Sequence, residues 1–166
     1  METHVLSILL ENQAGVLSRV SGLFTRRGYN IESLSVGVTE DPNLSRITVV
    51  TVGDATAIAQ ICKQLEKLVE VQKVTELLPG DSVLRELALI KVQAIAKSRG
   101  EVADIVKIFR ATIIDVSPSS MTIELTGQQS KVNAFIELLT PYGVIEIVRT
   151  GLAAIQRGGV KLEKSD

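Results

Sequence analysis

The stretch Val5–Phe24, VLSILLENQAGVLSRVSGLF, changes its hydrophobic period part-way, and this change decides the fold of the first half of the chain. Alternate apolar residues at its start are typical of a β-strand with one buried face: Leu6, Ile8 and Leu10. After the connection ENQAG, apolar residues recur at helical spacing: Val16, Leu17, Val20, Leu23 and Phe24. Gly28 predicts the end of this helix, because a left-handed glycine commonly follows the last helical turn.

The rest of the first half predicts three more strands and one more helix. A strand begins near Ile31, and the turn Glu40–Asn43 leads into the β-rich run Arg46–Val52. Asp54 is a helix-capping residue ahead of a second apolar stripe: Ile58, Ile61, Cys62, Leu65 and Leu68. A last strand covers Val71–Leu77. This order is that of the ferredoxin-like fold, in which a four-stranded antiparallel sheet carries two helices on one face.

The segment Leu78–Ser82, LPGDS, is the clearest linker in the chain, and the same order of elements follows it. A strand over Leu87–Ile95 precedes Ser98 and Glu101, which form a capping-box pattern at the start of a helix. The remaining elements are a hairpin around Ser117–Ser120, a helix ended by Pro141 and a strand over Val144–Val148. We therefore predict an α+β fold with two ferredoxin-like βαββαβ domains, at residues 1–78 and 84–160, joined by a linker at residues 79–83.

Composition excludes several classes of function. The 18 basic and 19 acidic residues leave a formal net charge of -1, so the chain lacks the broad positive field that nucleic-acid binding usually needs. His4 is the only histidine, which excludes a histidine-based metal cluster or a Ser-His-Asp arrangement, and we interpret it as a surface residue. The single Cys62 cannot form an internal disulfide and is interpreted as a core residue. No apolar run approaches the roughly 18 residues of a membrane span, and no signal-peptide pattern opens the chain, so we expect a cytoplasmic protein.

The first strand-to-helix connection is the most informative candidate for a binding site. A helix start presents unpaired N–H groups and the positive end of the helix dipole, which favour a carboxylate. Asn12 can donate and accept hydrogen bonds, and Gly15 allows a ligand to approach the backbone because it has no Cβ. The alternative is that Asn12 or a neighbour only caps the helix and that Gly15 is incidental.

Several runs of residues are similar to one known family. They are LLENQAGVLSRV at residues 9–20, RGYNIESL at 27–34, DPNLSR at 41–46, and FR at 109–110 with IIDV at 113–116. The first half resembles an ACT domain, a small ferredoxin-like module that binds amino acids at domain interfaces. Over nearly its whole length, the chain resembles the regulatory small subunit of acetolactate synthase.

The resemblance implies a non-catalytic protein that senses valine, or isoleucine or leucine, between the two ACT domains of a homodimer. The implied ligand residues are Asn12, Gln13, Ala14, Gly15, Val16 and Leu17 from one subunit, and Asn30 with Ile31 from the other. Asn30 could equally be an ordinary loop residue after Gly28. The implied partner is the large catalytic subunit, which would carry thiamine diphosphate, FAD and magnesium, while no cofactor is expected on this chain. The implied function is activation of that subunit and its feedback inhibition in branched-chain amino acid biosynthesis.

Two other classes of function use the same fold. RNA-binding sheets of this kind stack bases on strand aromatics, whereas the few aromatic residues here fall in predicted helices and turns. An acylphosphatase-like enzyme would need an Arg–Asn pair at a phosphate loop, which the fold alone does not establish. Arg26 and Arg27 complement the end of a helix or face a protein partner. The apolar run Leu152–Ile155 is either a covering segment or part of an interface.

Overall fold

The computed structural model describes residues 2–163, and its first half has the predicted ferredoxin-like order. The elements are β1 (Glu2–Glu11), α1 (Val16–Arg26), β2 (Ile31–Val38), β3 (Leu44–Gly53), α2 (Ala55–Leu65) and β4 (Val71–Glu76). The four strands form one antiparallel sheet in the order β2-β3-β1-β4. The prediction of a βαββαβ unit is therefore confirmed for this half.

Helices α1 and α2 cover one face of this first sheet, because their apolar stripes match the alternation of the strands. Val16, Val20 and Phe24 of α1 are buried against the inward residues of β1 and β3. Ile58, Ile61 and Leu65 of α2 complete the same core. The Oδ1 atom of Asp54 accepts a hydrogen bond of 2.8 Å from the Ala57 amide, which confirms Asp54 as the N-cap of α2.

The second half repeats the order. Its elements are β5 (Ser82–Gln93), α3 (Arg99–Ile108), β6 (Thr112–Val116), β7 (Ser120–Gly127), α4 (Gln129–Leu139) and β8 (Val144–Arg149). The strand order is β6-β7-β5-β8, and a separate core lies between this sheet and its two helices. This second core is built around Ile90, Ile123 and Phe135.

The predicted capping box at the start of α3 is wrong. Ser98 is the residue before the helix, but its side chain makes no capping hydrogen bond. Its hydroxyl donates instead to the Ile95 carbonyl at 3.4 Å, and the Glu101 carboxylate accepts a hydrogen bond from the Tyr142 hydroxyl at 2.9 Å. The backbone of Ser98 is helical, with φ of -104° and ψ of -9°, whereas a capping residue normally has an extended backbone that brings its oxygen to the free amides.

The division into compact units differs from the predicted domain boundaries. One unit consists of Met1–Leu84 with Leu152–Asp166, and the other of Arg85–Gly151. The linker predicted at residues 79–83 contains a single 3-10 turn, Pro79–Asp81, after which β5 begins at once. Residues 152–160, which fall in the predicted second domain, belong to the first unit.

A packing requirement explains this difference. A short strand, β9 (Ala153–Gln156), pairs with β5 in a segment that covers the face of the first sheet turned away from its helices. Leu152 and Ala154 are buried there against three apolar side chains: Val5, Val50 and Leu77. Without this cover the apolar side chains of that face would be exposed to water. Of the two interpretations of the run Leu152–Ile155, the structure supports the covering segment.

Candidate functional site

Helix α1 begins without a side-chain cap. Its N-cap residue is Gly15, whose φ of 84° lies in the left-handed region that favours glycine. No side chain accepts a hydrogen bond at this helix start among residues 2–163, and no acidic residue lies in the first turn. A Cβ placed on Gly15 would meet no atom within 4 Å, so the space above the backbone is open. The first N–H groups of α1 are therefore available to an external acceptor.

Asn12 does not cap α1, so the alternative interpretation of this residue is wrong. Its Nδ2 atom donates to the Pro42 carbonyl at 3.1 Å, and its backbone amide donates to the Asn43 carbonyl at 2.8 Å. These bonds tie the connection to the turn between β2 and β3. A side-chain amide has two N–H hydrogens and a carbonyl oxygen, so Asn12 keeps further hydrogen-bonding capacity on an exposed side chain.

The other residues of the connection have distinct environments. Gln13 is exposed, and its Nε2 atom donates to the Glu11 carboxylate at 2.9 Å. Ala14 is also exposed. Val16 is buried and fixes the first turn of the helix to the core, whereas Leu17 beside it is 41% exposed. An apolar surface therefore adjoins the open backbone N–H groups.

The structure does not bring Asn30 to this connection. Asn30 and Ile31 follow the far end of α1, whose 11 residues separate the two ends by about 16 Å. The Asn30 carbonyl accepts a hydrogen bond of 2.7 Å from the Thr51 hydroxyl, and its side chain is exposed. Ile31 is the first residue of β2 and packs against the core. A single chain thus cannot place Asn30 and the start of α1 on one small ligand.

His4 is buried, and its interpretation as a surface residue is wrong. It lies on β1 on the same face as Leu6, and its Nδ1 atom is 2.5 Å from the Glu76 carboxylate. The strand begins at Glu2, so position 4 already faces the helices, and β4 supplies the polar partner.

Cys62 is a half-buried residue packed against the core, as expected. Burial raises the pKa of its thiol to about 11, with smaller contributions from the negative charges of Glu76 and Glu66. The thiolate, which is the nucleophilic form, is therefore scarce at neutral pH, and Cys62 is not an activated nucleophile.

Other kinds of site find little support within residues 2–163. That range holds no group of three or more His, Cys, Asp or Glu side chains placed to bind a metal ion. The aromatic residues lie outside the strands, so neither sheet offers a platform for bases: Phe24, Tyr29, Phe109, Phe135 and Tyr142. Among these same residues, every helix is too short or too polar to cross a lipid bilayer.

Comparison with known proteins bears on the whole chain. A family model described as "Small subunit of acetolactate synthase" matches residues 85–158, and one described as "AHAS small subunit-like ACT domain" matches residues 6–73. A probable acetolactate synthase small subunit from Archaeoglobus fulgidus is 52% identical over 158 residues, covering 95% of this chain and 99% of that protein. The acetolactate synthase small subunit from Mycobacterium bovis is 51% identical over 157 residues, covering 95% and 94%. The chain belongs to the acetolactate synthase small subunit family.

A solved structure agrees with this assignment. The crystal structure of the acetolactate synthase small subunit from Thermotoga maritima matches with a TM-score of 0.89 and 48% identity, covering 96% of this chain and 100% of that chain. The residues matched by the ACT-domain family model, 6–73, include all eight candidate ligand residues, which lie between Asn12 and Ile31. The second model extends to residue 158 and so includes β9, which packs in the first unit.

One element of the site was missed by the sequence analysis. The turn at Pro42–Asn43 supplies both acceptors that hold Asn12 in place. The signal was present, because DPNLSR at residues 41–46 was one of the runs that carried the resemblance. The role of the turn could not be read from the sequence, since it depends on the pairing of Glu11 with Leu44 at the end of the sheet.

Proposed function

We propose that this protein is a non-catalytic regulatory subunit that binds valine, or isoleucine or leucine, at a site shared by two copies of the chain. The ligand carboxylate lies at the start of α1, where it accepts hydrogen bonds from the backbone amides that follow Gly15. Asn12 and Gln13 border this position, and Leu17 offers an apolar surface to the aliphatic side chain. Asn30 of a second copy, with Ile31 beside it, contacts the polar end of the ligand.

The observation that carries this proposal is the separation of the two groups of candidate residues. Asn30 follows the far end of α1 in the same chain, and the 11 residues of that helix are about 16 Å long. A ligand the size of valine cannot span that distance. If both groups contact one ligand, a second copy of the chain must supply one of them.

The charge at the start of α1 supports a carboxylate. The helix dipole and the free N–H groups favour an anion, and no acidic side chain of the first turn competes for them. The nearby Glu11 carboxylate accepts a hydrogen bond from Gln13 instead.

A homodimer also accounts for an open edge of the first sheet. Strand β2 is the outer strand on one side, and its exposed Val36 and Val38 leave an apolar edge that another chain can cover. A ligand held between two subunits is sensitive to how they are arranged, which is what an allosteric effector requires.

In the same proposal the protein is cytoplasmic, and its partner is a large catalytic subunit. That subunit would hold thiamine diphosphate, FAD and magnesium and condense pyruvate with pyruvate or 2-oxobutyrate. The small subunit would raise its activity and transmit inhibition by the bound amino acid. Belonging to the acetolactate synthase small subunit family supports this pairing.

Complementation between two defective subunits tests the shared site. Gly15→Asp damages the start of α1, and Asn30→Ala damages the other contribution, so neither homodimer should bind valine with the parent's affinity. When the two variants are co-expressed, a mixed dimer contains one site with both contributions intact. Titration calorimetry of the mixture should recover about a quarter of the parent's sites at the parent's affinity, since about half of the dimers are mixed. The control is an equal mixture of the two separately prepared variants, measured before their subunits can exchange. No recovery in the co-expressed sample would exclude a site shared between subunits.

A further inference from the structure

The face of the first sheet opposite its helices carries a row of hydroxyl groups. Ser35, Thr48, Ser7 and Thr75 lie directly opposite one another across β2, β3, β1 and β4. Their neighbours in sequence point to the helical core, as Ile8, Ile47, Val49 and Val74 illustrate. Because side chains alternate along a strand, the hydroxyl row faces the other way, towards the covering segment.

One hydroxyl of this row is buried without a partner. Ser7 is 1% exposed, and its Oγ atom makes no hydrogen bond with any residue between 2 and 163. Ser35 differs, because its hydroxyl donates to the Leu152 carbonyl at 2.8 Å. A buried hydroxyl left unpaired is unfavourable by about 1–3 kcal/mol, so the Ser7 hydroxyl is expected to have a partner from outside the chain.

A cavity of about 190 Å³ adjoins Ser7. Its polar lining includes Thr75, the next hydroxyl of the row, and Arg46, one row further along β3. Its apolar lining includes Leu77, Ile155 and Val160. Since a water molecule occupies about 30 Å³ in the liquid, the space is several times larger than a single bridging water requires.

The charged residues that line this cavity are two cations, Arg46 and Lys161, and one carboxylate, Glu40. Lys161 is matched by Glu40 at 3.1 Å and by Glu163 at 3.8 Å. Arg46 makes no salt bridge within residues 2–163. Arg46 is still close enough to Glu40 for its charge to contribute to lowering the pKa of that carboxyl group. Lys161 and Arg46 thus share the one carboxylate of the lining, and an arginine beside buried hydroxyl donors can bind a further anion.

We propose that this cavity is a second ligand site, which takes a small carboxylate with a short aliphatic chain. The carboxylate accepts hydrogen bonds from the Arg46 guanidinium and from the hydroxyls of Ser7 and Thr75. The aliphatic chain packs against Leu77, Ile155 and Val160. This site lies on the face of the sheet opposite α1 and does not depend on the amino-acid site proposed above.

The test uses the full chain carrying Gly15→Asp, so that the start of α1 is blocked. The probe is 3-methylbutanoate, and the matched control compound is its uncharged amide. Titration followed by ¹⁵N-resolved NMR should give saturable shifts at the amides of Ser7, Thr48 and Thr75 with the carboxylate and none with the amide. In this background Arg46→Gln should weaken binding by about tenfold or more, because a charged hydrogen bond is lost. Lys97→Gln, which removes one exposed positive charge from the second unit, should leave the affinity unchanged.

A second variant protects the test against misfolding. Ser7→Ala removes a hydroxyl that has no partner in the free chain, so the midpoint of thermal unfolding should not fall while carboxylate binding weakens several-fold. Equal binding of the amide would overturn the role of Arg46, and equal competition by inorganic phosphate would overturn the aliphatic specificity. The absence of shifts along the hydroxyl row would mean that the cavity holds water only, and the proposal would be wrong. If valine still shifts the amides at the start of α1 in the Gly15→Asp chain, only the proposed amino-acid site fails, because the second site is read at Ser7 and through Arg46.

Discussion

Two helix starts in the first unit occupy equivalent places in the fold but are built differently. Helix α2 follows β3, and the Asp54 carboxylate accepts a hydrogen bond from the Ala57 amide at its start. Helix α1 follows β1, and its start has a left-handed Gly15 and no carboxylate. The chain satisfies the positive end of one helix with its own side chain and leaves the other open. The open start is the one whose neighbour Asn12 is held by a separate turn.

Helix α4 shows that a missing cap is not sufficient for a site. It begins after Gln128 with no side-chain cap and no acidic residue in its first turn. Its N-cap backbone is extended, with φ of -67° and ψ of 154°, as is that of Asp54, with φ of -90° and ψ of 162°. What distinguishes α1 is the combination of an open glycine backbone and the exposed amide of Asn12 beside it.

Placing a carboxylate at the start of α1 should remove the difference between the two helix starts. We expect Gly15→Asp to weaken valine binding by about 100-fold or more, because its carboxylate occupies the ligand's position and repels it. In Gly15→Asn the new side chain has the size of aspartate but no charge, and asparagine tolerates a positive φ. This variant is therefore the matched control for backbone strain. Titration calorimetry with valine is the measurement. If the Asp and Asn variants lose the same affinity, backbone strain rather than charge is responsible.

A substitution beyond the far end of α1 should lower valine affinity by a smaller amount. Asn30→Ala removes a hydrogen bond to a charged end of the ligand, and we expect binding of valine to weaken by about 1.5–3 kcal/mol. The stability of the free protein should change little, because the Asn30 backbone carbonyl still accepts the Thr51 hydroxyl. Gln60→Ala, an exposed amide on α2, is the control. An unchanged affinity in Asn30→Ala would leave this residue as an ordinary loop residue after Gly28.

A substitution at the capped start of α2 should lower the stability of the protein and leave valine binding unchanged. Asp54→Ala removes the acceptor for the Ala57 amide, and we expect the free energy of unfolding to fall by about 1 kcal/mol. Valine affinity should be unchanged, because α2 makes no part of the proposed site. Urea unfolding monitored by circular dichroism measures the first effect and calorimetry the second. A loss of valine affinity without a loss of stability would contradict the division between a structural and a binding helix start.

The order of elements could be predicted from the sequence because each element carries its own period. The alternation around Leu6 and the helical spacing from Val16 are local signals, and the observed elements follow them. The cover over the first sheet could not be predicted in the same way. Leu152 and Ala154 pack against Val5 and Val50, which are distant from them in sequence. An apolar run in a sequence does not indicate which surface it packs against.

Hydrogen-bond partners were the least predictable part of the candidate site. The residue types at the start of α1 indicated a carboxylate site, but they do not show which carbonyl accepts the hydrogen bond from the Asn12 side chain. Only the register that places Glu11 opposite Leu44 shows that the turn at Pro42 is the one used. Ser98 does not cap α3 because its backbone is helical rather than extended, and the sequence does not reveal this conformation.

The smallest effect is expected from giving α4 the cap that α2 already has. Gln128 has the extended N-cap backbone that a capping aspartate requires, so Gln128→Asp can accept from the amide three residues on without rearrangement. We expect the free energy of unfolding to rise by about 0.5–1 kcal/mol, from the added hydrogen bond and from the favourable charge at the helix start. Gln128→Asn separates the two contributions, since it can cap without the charge. Urea unfolding at low and high salt measures them, because only the charge contribution is screened. Valine affinity should not change in either variant. A gain in stability at α4 together with a loss of binding at α1 from the matching carboxylate would establish that the same chemistry stabilises one helix start and blocks the other. If Gln128→Asp gives no gain, the comparison of extended N-cap backbones does not predict capping in this fold, and the open start of α1 loses its structural counterpart.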